Sequence, residues 1–273
     1  MRRTLIACTI AAVMAAAAPL SARTVNIGMS KCTHDYSTPY DVDVERDGIS
    51  FHRTDGTPAK VFLHNGALRV DGRDVSVSSD DAEALRRYEA GVRQVMPEVA
   101  VIARDAIDVG FSAMTTVTAS FADPGSRSRI LEKLNRKHAD ALREVDATLG
   151  QGHWQAKRAQ NLLEDSIGDT VGELVGTVTG EAVSAALSGD SSKVAALQAR
   201  AESLDKSMNK EMDARSKRLE ERTDAICPRL NDLAGIQKGW HVKLADGSLL
   251  QLMTIKPKTD HDHDHDGSSV ASE

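Results

Sequence analysis

The spacing of apolar residues changes from a period of two in the first third of the chain to a helical period beyond it. Residues 40–45 alternate apolar and acidic side chains, and similar alternating runs continue to residue 78. Asp-Gly or Asn-Gly pairs separate these runs, and both suit tight hairpin turns, whose central residues need positive φ. The pattern therefore predicts an antiparallel meander of four or five short strands over residues 40–78, which needs another layer behind it to be stable.

Apolar or small residues recur in alternating steps of three and four after Ser79, which is typical of a helix with a coiled-coil heptad seam. The seam positions are Leu85, Tyr88, Val92, Val95, Val99, Ile102, Ala106, Val109 and Ala113. We expect Asp80 to be the N-cap, because Glu83 follows three residues later in a capping-box pattern. Pro97 lies inside the seam and lacks a backbone N–H, so we expect a kink or break near Met96.

Two further helical stripes follow, one over residues 131–149 and a last one that begins at Ser191 or Ser192. We expect Pro228 to end the last helix and a β-hairpin to form over residues 240–256. Short connections between the helices favour antiparallel neighbours. The predicted fold is α+β and mainly α, with long antiparallel helices in a hairpin or bundle and with the meander and the C-terminal hairpin packed at one end.

Small residues occupy every fourth position in the helix predicted for residues 154–188. They are Gly168, Gly172, Gly176 and Gly180, followed by Ser184 and Ser188. Positions four apart lie on one helix face, and each interior glycine costs about 1 kcal/mol relative to alanine. Close helix packing inside a bundle would offset that cost. Self-association through the stripe and membrane insertion are the alternatives, and the acidic residues near the stripe disfavour insertion.

The first 22 residues have the pattern of a secretory signal peptide. Arg2 and Arg3 precede the apolar run 5–18, which is too short to span a bilayer, and cleavage is expected after Ala22. No later segment has the length and apolar character of a transmembrane helix. We therefore expect a periplasmic protein in which residues 23–257 form a single helical domain.

Composition and charge restrict the fold class and the kinds of partner further. Aromatic residues make up only 3% of the chain, which favours packed helices, and the net charge of −6 comes largely from the C-terminal tail. The body therefore has no basic surface for nucleic acid. Cys8 leaves with the signal peptide, and the remaining Cys32 and Cys227 would usually pair in an oxidising compartment. Such a bridge contributes at most about 5 kcal/mol, and two buried free thiols are the alternative.

The tail, residues 258–273, is expected to be disordered and carries alternating histidine and aspartate residues. His261, His263 and His265 offer imidazole ligands that suit Zn²⁺, Ni²⁺ or Cu²⁺. A flexible tail lacks preorganised geometry, so any binding should be weak, and no other cofactor is predicted. The chain contains no nucleophile elbow, phosphate-binding loop or HExxH motif, so we expect a protein that is not an enzyme.

The order of these pieces resembles the YggN-like family of uncharacterised bacterial periplasmic proteins. The resemblance rests on Cys32, the segments 40–49 and 68–75, the run Tyr88-Glu89-x-Gly91-Val92-Arg93-Gln94-x-x-Pro97, and Cys227. It covers the chain from Cys32 to Cys227 and leaves out the histidine-rich tail. It implies a location and a shape, and it supplies no catalytic residues because the family has no assigned activity.

The sequence thus favours a non-enzymatic structural or interaction protein that contacts an unknown envelope protein through an elongated helical surface. The alternative is divalent-metal binding or buffering through the tail.

Overall fold

Helices predominate in this protein, and its strands form a six-stranded and a two-stranded sheet. The computed structural model describes residues 32, 34–122, 124–155, 158, 172, 173, 176, 179, 180, 183, 187 and 191–257. The predicted signal peptide, Gly168 and the tail with His261, His263 and His265 lie outside the described residues. The helices are α1 (Ser79–Phe121), α2 (Pro124–Ala147) and α3 (Ser191–Gly239), with a short 3₁₀ turn at Leu149–Gln151.

The predicted meander is present and gains one strand from a distant part of the chain. Its strands are β2 (Asp41–Glu45), β3 (Gly48–His52), β4 (Lys60–His64), β5 (Ala67–Val70) and β6 (Arg73–Val75), and all pair in antiparallel order. A two-residue strand after α2, β7 (His153–Trp154), pairs with the outer edge of β2. The prediction of a helix from Trp154 onward was therefore wrong at its first residue.

The meander lies on the first turns of α1. The turn between β4 and β5 uses Asn65 and Gly66 at φ values of 47° and 83°, as an Asn-Gly hairpin turn requires. A Cβ placed on Gly66 would lie 2.6 Å from the Ala82 carbonyl oxygen, and the Asn65 backbone N–H donates to Glu89. The turn and the helix are thus in direct backbone contact.

Helix α1 runs antiparallel to both α2 and α3, as its ion pairs show. Glu98 and Asp105 of α1 pair with Arg229 and Arg222 of α3, so the partner's number falls by seven as the α1 number rises by seven. Arg104 and Asp108 of α1 pair in the same descending order with Asp146 and His138 of α2. No helix within the described ranges is long and apolar enough to cross a membrane.

Both prolines that were expected to interrupt helices lie inside continuous ones. Helix α1 runs through Pro97 and α3 runs through Pro228 to Gly239, so the predicted break and the predicted end were wrong. Each proline is exposed on the solvent side of its helix. On the other side, residues such as Met96 and Leu233 are buried, and this packing outweighs the cost of about 3 kcal/mol for an interior proline.

Beyond Val92, the buried positions of α1 follow the predicted heptad seam only at Ile102. They are Val92, Met96, Ala100, Ile102, Ile107, Phe111 and Thr118, whereas the seam residues Val95, Val99, Ala106, Val109 and Ala113 are half-buried. The helix packs against α2, α3 and the meander at once. A wide buried face replaces a narrow coiled-coil stripe for that reason.

The predicted C-terminal hairpin is shorter than expected. It is reduced to one bridge between Lys243 and Leu249, across a turn that holds Gly247 at a φ of 84°. The chain then leaves this turn as β8 (Thr254–Pro257) and pairs with β1 (His34–Ser37), where Ile255 faces Tyr36. The N- and C-terminal ends of the described domain are therefore joined in one two-stranded sheet.

The predicted disulfide between Cys32 and Cys227 is formed. The two Cα atoms lie 5.4 Å apart, both side chains are buried, and the bridge spans 195 residues of sequence. It connects the segment before β1 to the C-terminal third of α3, which fixes the terminal sheet against that helix.

Close packing through the full glycine stripe stays a prediction, because Gly168 and most neighbours of the stripe lie outside the described residues. Gly172, Gly176 and Gly180 are helical and exposed, and within the described residues a Cβ at any of them would meet nothing within 4 Å. The glycine that brings two helices together is Gly91 of α1, where an added Cβ would lie 2.7 Å from Leu233 Cδ2 of α3. A single small residue at a helix contact thus does what the regular stripe was expected to do.

The N-cap of α1 is Ser78, and the predicted N-cap Asp80 lies one residue inside the helix boundary, on its exposed side. The Ser78 hydroxyl accepts from the Asp81 backbone N–H at 3.1 Å and donates to the Asp81 carboxylate at 2.8 Å. The same carboxylate accepts from the His241 backbone N–H at 2.8 Å. Asp81 therefore ties the start of α1 to the segment that follows α3.

Replacing Asp81 by asparagine is expected to lower the free energy of unfolding by about 1–3 kcal/mol at pH 7, because two hydrogen bonds to a charged acceptor are weakened. The hydrogen bond from the His241 backbone lowers the pKa of Asp81. The stabilisation is thus present above the unfolded-state pKa of about 3.9 and is lost as the pH falls through the lower folded-state value. Urea unfolding of both proteins over a pH series measures this difference.

The matched control is Asp80→Asn, which removes the neighbouring charge from the same helical turn at an exposed position. Equal losses in the two variants would mean that the effect comes from the helix dipole alone and that the bond to His241 contributes nothing.

Candidate functional site

An apolar cavity of about 240 Å³ lies between the meander, α1 and α3. Its size falls between the 150 Å³ of a cavity that takes up benzene and the roughly 300 Å³ at which drug-sized sites begin. Half-buried side chains such as Val95 and Leu230 are part of its lining, so the cavity reaches the surface of the described structure. A small apolar group can therefore enter it.

Helix α1 supplies one wall of the cavity. Val92, Val95, Met96 and Val99 line it from positions three and four apart, which lie on one helix face. Three of these, Val92, Val95 and Val99, belong to the predicted heptad seam, and Val95 and Val99 are only half-buried. Their half-buried state follows from facing the cavity where a seam would face a partner helix.

Helix α3 supplies the opposite wall through Ile226, Leu230 and Leu233, again at helical spacing. Thr223 lies one turn earlier, and its hydroxyl donates to the Leu219 carbonyl oxygen at 2.7 Å. The threonine therefore presents its methyl group without leaving a polar atom unsatisfied, because hydroxyl bonding to the preceding turn is available to a helical threonine.

The third wall is the terminal sheet, with Tyr36 on β1 and with Leu252 and Met253 just before β8. Gln237 of α3 holds this wall through three hydrogen bonds. Its side-chain oxygen accepts from the backbone N–H groups of Leu252 and Met253, both at 2.8 Å, and its amide donates to the Met253 carbonyl at 2.7 Å. The Cys32–Cys227 bridge attaches the other strand of the sheet to the same helix.

The lining carries no charged side chain among the described residues. Burial raises the pKa of Tyr88, which keeps its phenol neutral. Thr38 both accepts from the Tyr40 backbone and donates to the Leu252 carbonyl. The site is therefore a neutral environment in which a charged group would lose its hydration without compensation.

Trp154 closes the cavity on the side of the six-stranded sheet. It belongs to β7 and pairs with Val42, another lining residue. The Asp43 carboxylate accepts from Nδ1 of the neighbouring His153 at 2.7 Å on the other side of the sheet, and His52 lies 3.3 Å from the same carboxylate. Successive residues of a strand point to opposite faces, so these polar contacts position β7 without entering the cavity.

Sequence reasoning located some of these residues and missed others. Cys32 and Cys227 are joined beside the cavity, as predicted, and Gly172, Gly176 and Gly180 lie away from it. Among the described residues, no group of three or more His, Cys, Asp or Glu side chains could hold a metal ion. Gln237 and Trp154 were missed, because an amide on a helix and a two-residue strand leave no periodic signal.

The fold and cavity define a mainly helical α+β protein with an apolar site between two long helices and two small sheets. The chain belongs to a family described as a protein of unknown function (DUF2884), whose model matches residues 35–253. The match begins one residue before Tyr36 and ends at Met253, so it includes every described wall of the cavity. A search of curated proteins and a search of solved structures each found no match to the chain.

Replacing both Cys32 and Cys227 by serine is expected to lower the free energy of unfolding by about 2–4 kcal/mol, since the bridge restricts a long loop of the unfolded chain. Urea unfolding measured with and without reductant tests this. Reductant should shift the midpoint of the wild-type protein to that of the variant and should leave the variant unchanged. Two thiols that are freely alkylated in the folded wild-type protein would contradict the bridge.

Proposed function

We propose that this is an exported, periplasmic, non-enzymatic binding protein that holds the apolar group of a ligand or envelope partner in the cavity between α1 and α3. The single observation that carries the proposal is the cavity itself, which is apolar, uncharged in its described lining and bordered by half-buried side chains. A folded protein usually fills such a space with its own side chains. Contact through a surface made mainly by helices agrees with the sequence-based expectation.

Export is supported by the signal-peptide pattern of residues 1–22 and by the bond between Cys32 and Cys227. Disulfides persist in oxidising compartments such as the periplasm. The proposal also agrees with the YggN-like resemblance, which rests in part on both cysteines and on the junction of the meander with α1.

The absence of enzymatic activity is part of the proposal. Asp43 and His153, on the strands β2 and β7 that border the cavity, lie on the far face of the sheet from Val42. A general acid or base must come within hydrogen-bond reach of the reacting group, and these residues do not reach the cavity.

Filling the cavity tests the proposal. Val95→Trp adds bulk at the half-buried margin. It is expected to abolish the blue shift in the emission of the small uncharged probe 1-naphthylamine, which the wild-type protein should produce. Val101→Trp is the matched control, because Val101 is on the same helix, is 40% exposed and does not line the cavity. Probe titration at fixed protein concentration measures both.

Equal probe binding by the two tryptophan variants, or no binding by the wild-type protein, would refute the cavity as the functional site. Circular dichroism and the unfolding midpoint of each variant distinguish a filled cavity from a loss of folding.

Metal binding by the tail is the second candidate, favoured by the alternation of His261, His263 and His265 with aspartate. These side chains provide the ligands that Zn²⁺ and Ni²⁺ prefer. Deleting residues 259–273 is expected to remove Ni²⁺ binding measured by calorimetry and to leave probe binding in the cavity unchanged. Metal binding that persists undiminished after the deletion would assign it to another part of the chain.

A further inference from the structure

The indole N–H of Trp154 is a buried hydrogen-bond donor without an acceptor. Thr118 Oγ1 and Trp154 Nε1 are buried and lack a hydrogen-bond partner within the described residues, and of these two residues Trp154 lines the cavity. A buried donor that has lost water and gained no acceptor is costly, and native structures nearly always satisfy such groups. Binding of a group that supplies a hydrogen-bond acceptor to Trp154 Nε1 would therefore remove this free-energy cost.

The indole N–H of the other tryptophan, Trp240, does have an acceptor within the protein. Trp240 is fully buried, and its Nε1–H donates to the Leu250 carbonyl oxygen at 2.9 Å. The hydroxyls of Thr38 and Thr223, which also line the cavity, have backbone acceptors. The unsatisfied donor of Trp154 thus stands out within a region where comparable groups are paired.

The remaining properties of the cavity restrict what could pair with that donor. Its described lining has no cation that would balance a carboxylate or phosphate, so an anionic group would be strongly disfavoured inside. Its volume of about 240 Å³ exceeds that of a benzene-sized site by about half, which corresponds to a ligand with on the order of ten non-hydrogen atoms.

We propose that the cavity binds a small, uncharged amphiphile whose apolar body fills the space between α1 and α3 and whose single carbonyl, ester or hydroxyl oxygen accepts from Trp154 Nε1. This inference rests on the proposed function and names the chemical class of its ligand. Trp154 is the residue that distinguishes such a molecule from a hydrocarbon of the same shape.

The strand that carries Trp154 is fixed by contacts that do not involve the indole ring. Backbone pairing with Val42 and the contact between His153 and Asp43 fix β7, whereas the Trp154 side chain itself is half-buried. Because Nε1 is covered, an acceptor reaches it only after a small rotation of the indole. Ligand binding should therefore change the environment of this ring.

Three molecules of equal size test the proposal on the wild-type chain and on Trp154→Phe. Benzylacetone carries a carbonyl, isopentylbenzene replaces the carbonyl oxygen by a methyl group, and hydrocinnamate carries a carboxylate. Their dissociation constants are measured by displacement of 1-naphthylamine, which has the same number of non-hydrogen atoms. Phenylalanine retains the aromatic surface and removes the donor, so it isolates the hydrogen bond from the packing.

We expect the preference for benzylacetone over isopentylbenzene to be about three- to tenfold greater in the wild-type protein than in Trp154→Phe. Hydrocinnamate should bind more weakly than benzylacetone to both proteins at pH 7. Two-dimensional NMR of the wild-type protein gives a second measurement, because the chain has two tryptophans. The indole N–H signal of Trp154 should move with benzylacetone, and that of Trp240 should stay in place.

The outcomes separate the two levels of the proposal. If both neutral molecules bind, the preference is the same in both proteins and the Trp154 signal does not move, the ligand class is wrong and the cavity remains a binding site. If hydrocinnamate binds most tightly, the requirement for an uncharged ligand is wrong. If none of the three displaces the probe from the wild-type protein, the proposed function fails as well. The NMR measurement decides the question even if Trp154→Phe does not fold.

Discussion

The attachment of the two chain ends to α3 is the constraint on which the cavity depends. The disulfide anchors the segment before β1, and the Gln237 amide anchors the segment before β8, so both strands of the terminal sheet are held against one helix. Strands β1 and β8 are more than two hundred residues apart in the sequence and pair only with each other. A two-stranded sheet is marginal alone, and its position follows from these two anchors.

Helix α1 connects the meander, α2 and α3. One end of it supports the meander, its middle forms a wall of the cavity, and ion pairs on its two sides join it to α2 and α3. The glycine at position 91 allows α3 to approach closely just before the cavity opens. The two helices are therefore in tight contact at Gly91 and Leu233, and the cavity lies beyond that contact, where Val95 and Val99 are part of its lining.

Local signals in the sequence predicted most of the fold, and long-range contacts explain where they failed. The hairpin turns at Asn65-Gly66 and Asp71-Gly72 were readable because positive φ is a local requirement. The continuity of α1 at Pro97 could not be predicted from local signals, because it depends on the burial of the neighbouring turns. The cap at Ser78 was missed because Asp81 is engaged by His241, a residue 160 positions away. Trp154 and Gln237 acquire their roles only through tertiary contacts, so the site itself was beyond the reach of periodicity.

The six-stranded sheet ends on both sides in strands too short to recruit another chain. On one side β6 has three residues and exposes Arg73 and Asp74, and on the other β7 has two residues and covers the edge of β2. Natural sheets avoid joining edge to edge when their edge strands are short, charged or covered by another element. A protein with an apolar cavity that is open to its surface needs protection against aggregation. The two outermost strands provide this protection at the sheet edges.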